Sequence, residues 1–200
     1  MVATVTLNPL VTTNALGSFS TYSDGVVQGT AFDSPNTRFN LAGGILATAE
    51  TVPMWGGIAI SELIPPATSN GLLGGTIARA TALANITGFS VFDQAHNGLT
   101  TPQSPVPLFA SGMGVNFYRL GSGARLALQI DPALVSLDGG LITQNVSWDY
   151  ANGKIIAYDG SNKLPVTIQK IIVSNCKIVS YNAGTGNATW VNGACAIVTI

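Results

Sequence analysis

The chain has 200 residues, of which only 8% are charged: eight Lys or Arg against nine Asp or Glu. A typical soluble domain carries about 25%, so this surface is neutral and hydrogen-bonding rather than ionic. The net charge of −1 gives no basic footprint for a nucleic-acid backbone, and a hydrophobic content of 46% lies far from the disorder signature.

Residues 1–23 hold no charged side chain, and the first basic residue is Arg38. The opening stretch lacks the positive region and long apolar run of a secretory signal. It reads as an extended, Thr- and Asn-rich arm with one strand near Val2 to Leu7. Two readings stay open for it: an ordinary first strand, or an arm that adds a strand to a neighbour through Val2, Val5, Leu7, Pro9 and Leu10.

Beyond the arm, turn dipeptides punctuate the chain. Asn-Gly occurs at Asn70, Asn97, Asn152 and Asn192, and Asp-Gly at Asp24, Asp138 and Asp159. Such pairs accept positive φ and favour tight turns. Strands are expected at Gly57–Ser61, Phe89–Phe92, Val115–Leu120, Ala124–Ile130, Val146–Tyr150 and Lys154–Tyr158. Thr76–Ile86 is read as a strand, although its alanines favour a helix. Val166–Tyr181 is the clearest strand, with a phase slip at Ile171-Ile172 that points to a bulge or bend. A loop follows at Asn182–Asn187, and Asn192-Gly193 implies a small hairpin. The terminal Gly193–Ile200 is apolar on both faces, as expected of a strand pinned inside a sheet. Pro9, Pro35, Pro53, Pro65, Pro66, Pro102, Pro105 and Pro107 are assigned to connections. The expected fold is therefore all-β, a sandwich or barrel of many short strands with an N-terminal arm. Residues 1–49 form the arm and first strands, and 50–200 the β-rich domain.

Catalytic chemistry finds little to work with. His96 is the only histidine and sits in a turn sequence, which leaves no Ser-His-Asp set and no metal site. Gly121-Ser-Gly123 and Gly184-Thr-Gly186 lack the remainder of a dinucleotide fingerprint and read as turns. Asp131, Asp138 and Asp159 have turn explanations. Asp149 lies between Trp148 and Tyr150, a triplet that reads as core and surface alternating along a strand, or as a sugar-binding face. Cys176 and Cys195 read as buried thiols rather than a disulfide. Asn85, Asn145 and Asn187 match the glycosylation pattern by chance in an Asn- and Thr-rich chain.

Several stretches resemble the cement, or decoration, proteins of tailed-phage heads: Ile86–Gly98, Gly114–Leu120, Val146–Tyr150 and Gly193–Ile200. The likeness covers roughly residues 50–200 and lies in overall pattern. It implies a cofactor-free, non-enzymatic β-protein on the outer capsid surface of the virion, bridging capsomers against the pressure of packaged DNA. Its implied partners are the major capsid protein and copies of itself, as a dimer or trimer, with no nucleic acid and no membrane. A neutral surface suits that role, because covering it desolvates few charges. Two other readings remain: a tail-tube or baseplate protein, and a carbohydrate-binding module using Trp148, Tyr150 and Trp190.

Overall fold

The computed structural model describes residues 3–6, 18–21, 26–32, 37, 39–65, 75–92, 99–101 and 104–200. Strands β1 (Ala3–Thr6) and β2 (Ser18–Thr21) form an antiparallel pair, with Val5 opposite Phe19. They are followed by β3 (Ala31–Phe32), β4 (Leu41–Leu46), β5 (Ala59–Leu63) and β6 (Gly75–Arg79). Next come β7 (Gly88–Ser90), β8 (Leu99–Thr101), β9 (Ser104–Leu108), β10 (Gly114–Arg119) and β11 (Arg125–Gln129). The last four are β12 (Val146–Asp149), β13 (Lys154–Ala157), β14 (Thr167–Asn182) and β15 (Asn187–Thr199). Short 3-10 turns lie at Leu83–Asn85 and Pro132–Leu137. The fold is all-β, as the turn spacing predicts.

Five strands close a barrel in the order β10-β4-β6-β5-β7. Only β4 and β6 run parallel within it. Alternation along each strand then sorts side chains between two cores. Leu46, Ile60, Ile77, Val115 and Phe117 belong to one buried cluster. Their sequence neighbours Ala59 and Tyr118, with Phe89, belong to another. That second cluster is completed by Leu126 and Leu128 of β11, Trp148 of β12, Ile155 of β13 and Ala196 and Val198 of β15.

The second sheet has the order β14-β15-β11-β3. Its longest members, β14 and β15, form a hairpin that serves both clusters. Ile168, Ile171 and Val198 pack with Tyr118 and Trp148, whereas Val179 and Ala188 pack with Met54, Trp55 and Phe117. The change of partner coincides with register shifts between Ile168 and Lys170 and between Ile172 and Cys176, around Asn175 at φ 64°. The expected bulge is thus present on both sides of Ile171-Ile172. A bulge reverses which residues face inward and adds local twist.

The other face of this sheet holds a third cluster of Val26, Ala127, Ile172, Cys176 and Cys195. Part of the β14 edge is covered by a strap from the start of the chain. Gln28 N–H donates to the Lys177 carbonyl, and Lys177 N–H to the Val26 carbonyl, both at 2.9 Å. Val179 N–H donates to Gln28 Oε1 at 3.0 Å. Residues 26–32 and 39–49 are therefore built into the same sheets and cores as the residues after 50.

Three expectations need correction. Asn192-Gly193 is not a hairpin: both residues lie inside β15, paired with Lys177 and Cys176. The turn is one step earlier, where the Asn182 side chain accepts from Gly184 N–H at 2.9 Å. Thr76–Ile86 is a strand only to Arg79 and then a 3-10 turn. Pro105 and Pro107 are not in a connection but in β9. Spaced two apart, they leave their missing donors on one edge of the strand. The turns at Gly139, Gly153 and Gly160 do take positive φ. Pro53 and Pro65 lie outside strands. Asp24-Gly25, Asn70-Gly71 and Asn97-Gly98 lie outside the described residues.

Candidate functional site

The residues singled out in the sequence separate widely. Val2, Leu7, Pro9, Leu10 and His96 lie outside the described residues, and Val5 is on β1. Trp148 is 5% exposed and meets Phe89 edge-on, with ring centroids 5.2 Å apart. Tyr150 is half-buried against the same cluster. Burial, and then the nearby Asp159, raise its phenol pKa. Trp190 belongs to the other cluster, edge-on to Phe92 at 5.7 Å. The three rings therefore share no common face, and the core reading of Trp148 holds.

The aspartates are occupied by local structure. Burial pushes the Asp149 carboxyl up, but donors from Asn152 and Ala151 outweigh it and hold the pKa below the ordinary range. The Asp131 carboxyl is lowered by Lys154, whose Nζ lies 2.7 Å away, and by Ala133 N–H. Asp159 is held at about 2 by the Asn162 backbone and side chain and by Ser161 N–H. These are turn-stabilising carboxylates, each satisfied by neighbours. Cys176 and Cys195 are both buried thiols. Burial, and then Cys176, push the Cys195 thiol far above its ordinary value. Neither is poised as a nucleophile.

Two features can engage a partner. The first is a cleft of about 380 Å³ where the loop before β5, the end of β6, the β12–β13 turn and the tip half of β14 converge. Trp55, Arg79, Asn152, Lys154 and Tyr181 line it. The Arg79 guanidinium carbon lies 4.4 Å from the Trp55 ring centroid, a cation–π contact. Its Nη2 donates to the Pro53 carbonyl at 2.8 Å. Burial lowers the Arg79 pKa to about 10, with Glu50 and Tyr181 acting in the opposite direction. The Tyr181 and Trp55 rings lie 5.4 Å apart. Sequence reading missed this cleft because its members are scattered over 130 positions or so of chain, and no spacing rule links them.

The second feature is one end of the barrel. β4 begins there at Leu41, opposite Tyr118 of β10, and β5 ends there at Leu63, opposite Thr76 of β6. Phe39 stands just before β4 and Ile64 just after β5, and they are 91% and 94% exposed. Leu63 is also exposed. Among the described residues there, Arg119 donates through Nε and Nη2 to both Glu62 carboxylate oxygens at 2.8 and 2.7 Å.

Among the described residues, no group of three or more His, Cys, Asp or Glu could hold a metal ion. No helix of the described residues is long and apolar enough to cross a membrane. Comparison with protein-family models, with curated proteins and with solved structures finds no match to this chain.

Proposed function

We propose that the chain is a structural virion protein that decorates the outer surface of a tailed-phage capsid. In this reading it bridges neighbouring capsomers and stabilises the shell against internal DNA pressure. The observation that carries the reading is the barrel end with Phe39, Leu63 and Ile64 in water. A chain with so few charges has little ionic protection for such side chains. Covering them gains about 25 cal/mol per Å² of apolar surface, and among the described residues the charges beside them are already paired as Arg119–Glu62. Many copies at fixed spacing then turn modest contacts into firm attachment. The partners are the major capsid protein and other copies of the chain. The resemblance of residues 50–200 to cement proteins supports the same conclusion.

The test is co-sedimentation with purified, undecorated phage heads. Wild-type protein is expected to saturate the heads and raise the denaturant concentration at which they fail. The Phe39→Ser/Ile64→Ser variant, soluble and folded, is expected to bind at least about tenfold more weakly. A wild-type chain that leaves heads unoccupied sinks the proposal, and gold label confined to tails would replace it with a tail-tube or baseplate role.

A further inference from the structure

Three buried side-chain atoms lack a hydrogen-bond partner among the described residues: Gln28 Nε2, Trp55 Nε1 and Arg79 Nε. All three are donors. They belong to one neighbourhood. Arg79 stacks on Trp55, and both line the cleft together with Val179. Gln28 spends its oxygen on Val179 N–H, which leaves its amide nitrogen over. A cluster of spare donors with no matching spare acceptor is one-sided. A buried unpaired donor costs about 1–3 kcal/mol, and an acceptor-rich ligand is the chemistry that relieves it.

The charges narrow the class. Lys154 is tied to Asp131. Glu50 lies close enough to Arg79 to act on its charge, but its Oε1 accepts from the Arg79 backbone N–H and not from the guanidinium. Among the described residues the guanidinium is therefore desolvated without a carboxylate fork of its own. These surroundings suit one added negative charge rather than two. A planar carboxylate matches a guanidinium in geometry as well as in charge. A cleft of about 380 Å³ is larger than a bare ion needs and falls in the range of small-molecule sites. Gln129 and Asn152 supply amides at its wall, and Ile178, Val191 and the Tyr181 ring supply apolar surface.

We propose that this cleft binds a small acidic sugar, with its carboxylate on Arg79, its hydroxyls on Gln129 and Asn152, and its C–H face against Tyr181. A neutral sugar fits less well, because each hydroxyl brings a donor along with its acceptor. The cleft lining shares no residue with the barrel end assigned to shell contact, so the site stands whether or not the chain decorates capsids.

The experiment is a two-dimensional amide and indole NMR titration of the intact protein with sodium glucuronate, glucose, acetate and inorganic phosphate in parallel. Glucuronate is expected to shift the Trp55 indole N–H saturably and leave the Trp148 indole in place. Glucose is expected to shift neither, and acetate to bind about tenfold more weakly than glucuronate. Arg79→Gln is expected to weaken glucuronate by about tenfold or more. Should that variant fail to fold, the wild-type titrations still decide the question. No saturable Trp55 shift with glucuronate, or glucose binding as tightly, overturns the proposal. Phosphate binding more tightly than glucuronate overturns it as well. Acetate matching glucuronate would remove the sugar from it.

Discussion

Gly88 of β7 lies so close to Tyr118 of β10 that an added β-carbon would sit 2.2 Å from the Tyr118 carbonyl oxygen. Both atoms belong to paired barrel backbone, so neither can swing aside as a side chain would. Gly88→Ala is expected to destabilise the fold by about 1–3 kcal/mol, read as a lower urea midpoint. Gly112→Ala is the comparison, since Gly112 has positive φ but nothing within 4 Å of the new atom. Its cost is expected to be confined to backbone strain, about 1–2 kcal/mol.

Trp148 tests whether the Trp-Asp-Tyr triplet is core. It is buried against Phe89 between the barrel and β11. Trp148→Ala is expected to cost about 3–5 kcal/mol in denaturant unfolding, and Trp148→Phe clearly less. A Trp148→Ala protein as stable as wild type would contradict this placement.

The two thiols give a chemical readout of the sheet. Cys176 and Cys195 sit inside the third cluster with Val26 and Ile172, and Cys195 stays protonated well beyond neutral pH. Native protein is expected to react with a thiol reagent only as fast as the sheet opens, and both cysteines are expected to react at once in denaturant. Rapid labelling in buffer would mean that the face of β14–β15 is accessible.

Acid should loosen one loop before the rest. Asp159 has an ordinary value of 3.8 and is held at about 2 in the fold. A folded pKa below the unfolded one means stabilisation that is complete above about pH 4 and lost as pH falls towards 2. Ser147 links this loop to β12, donating to the Asn162 carbonyl at 2.7 Å and accepting from Asp159 N–H at 3.2 Å. Amide exchange at Asn162 is expected to rise in that window, and Asp159→Asn is expected to remove most of the pH dependence. Exchange that is flat across the window would show that the carboxylate does not hold the loop.

Much of the fold was legible from local chemistry. Alternation and turn residues locate β10 and β12 to β15 because those strands carry β-branched or aromatic side chains between turn residues, and β11 through its Leu126 and Leu128 alternation. β4 was missed because Leu41–Leu46 contains two adjacent glycines. The reason for one of them appears only in three dimensions: a β-carbon at Gly44 would meet Ile77 and the Gly75 carbonyl of the parallel neighbour β6. β9 was missed because two prolines look like a connection, although its buried Val106 reaches a core. The candidate sites were less legible than the strands. Low charge pointed to a covered surface, yet Phe39 and Ile64 become neighbours of one barrel end only through the pairing of β4, β5, β6 and β10. Trp55, Arg79 and Tyr181 meet through the same long-range closure, which periodicity does not encode.

The strap at the β14 edge also has a temporal meaning. Gln28 and Val179 are 151 positions apart, so the β-strand that receives the strap leaves the ribosome long after the strap itself. Residues 26–32 are thus made well before the strand that secures them, as is the barrel face that β15 covers. Until β14 and β15 are made, a nascent chain must keep apolar strands and open edges apart from those of its neighbours. A slowed ribosome, or many chains translated close together, should therefore threaten the yield of this protein more than any modest loss in the stability of its finished state.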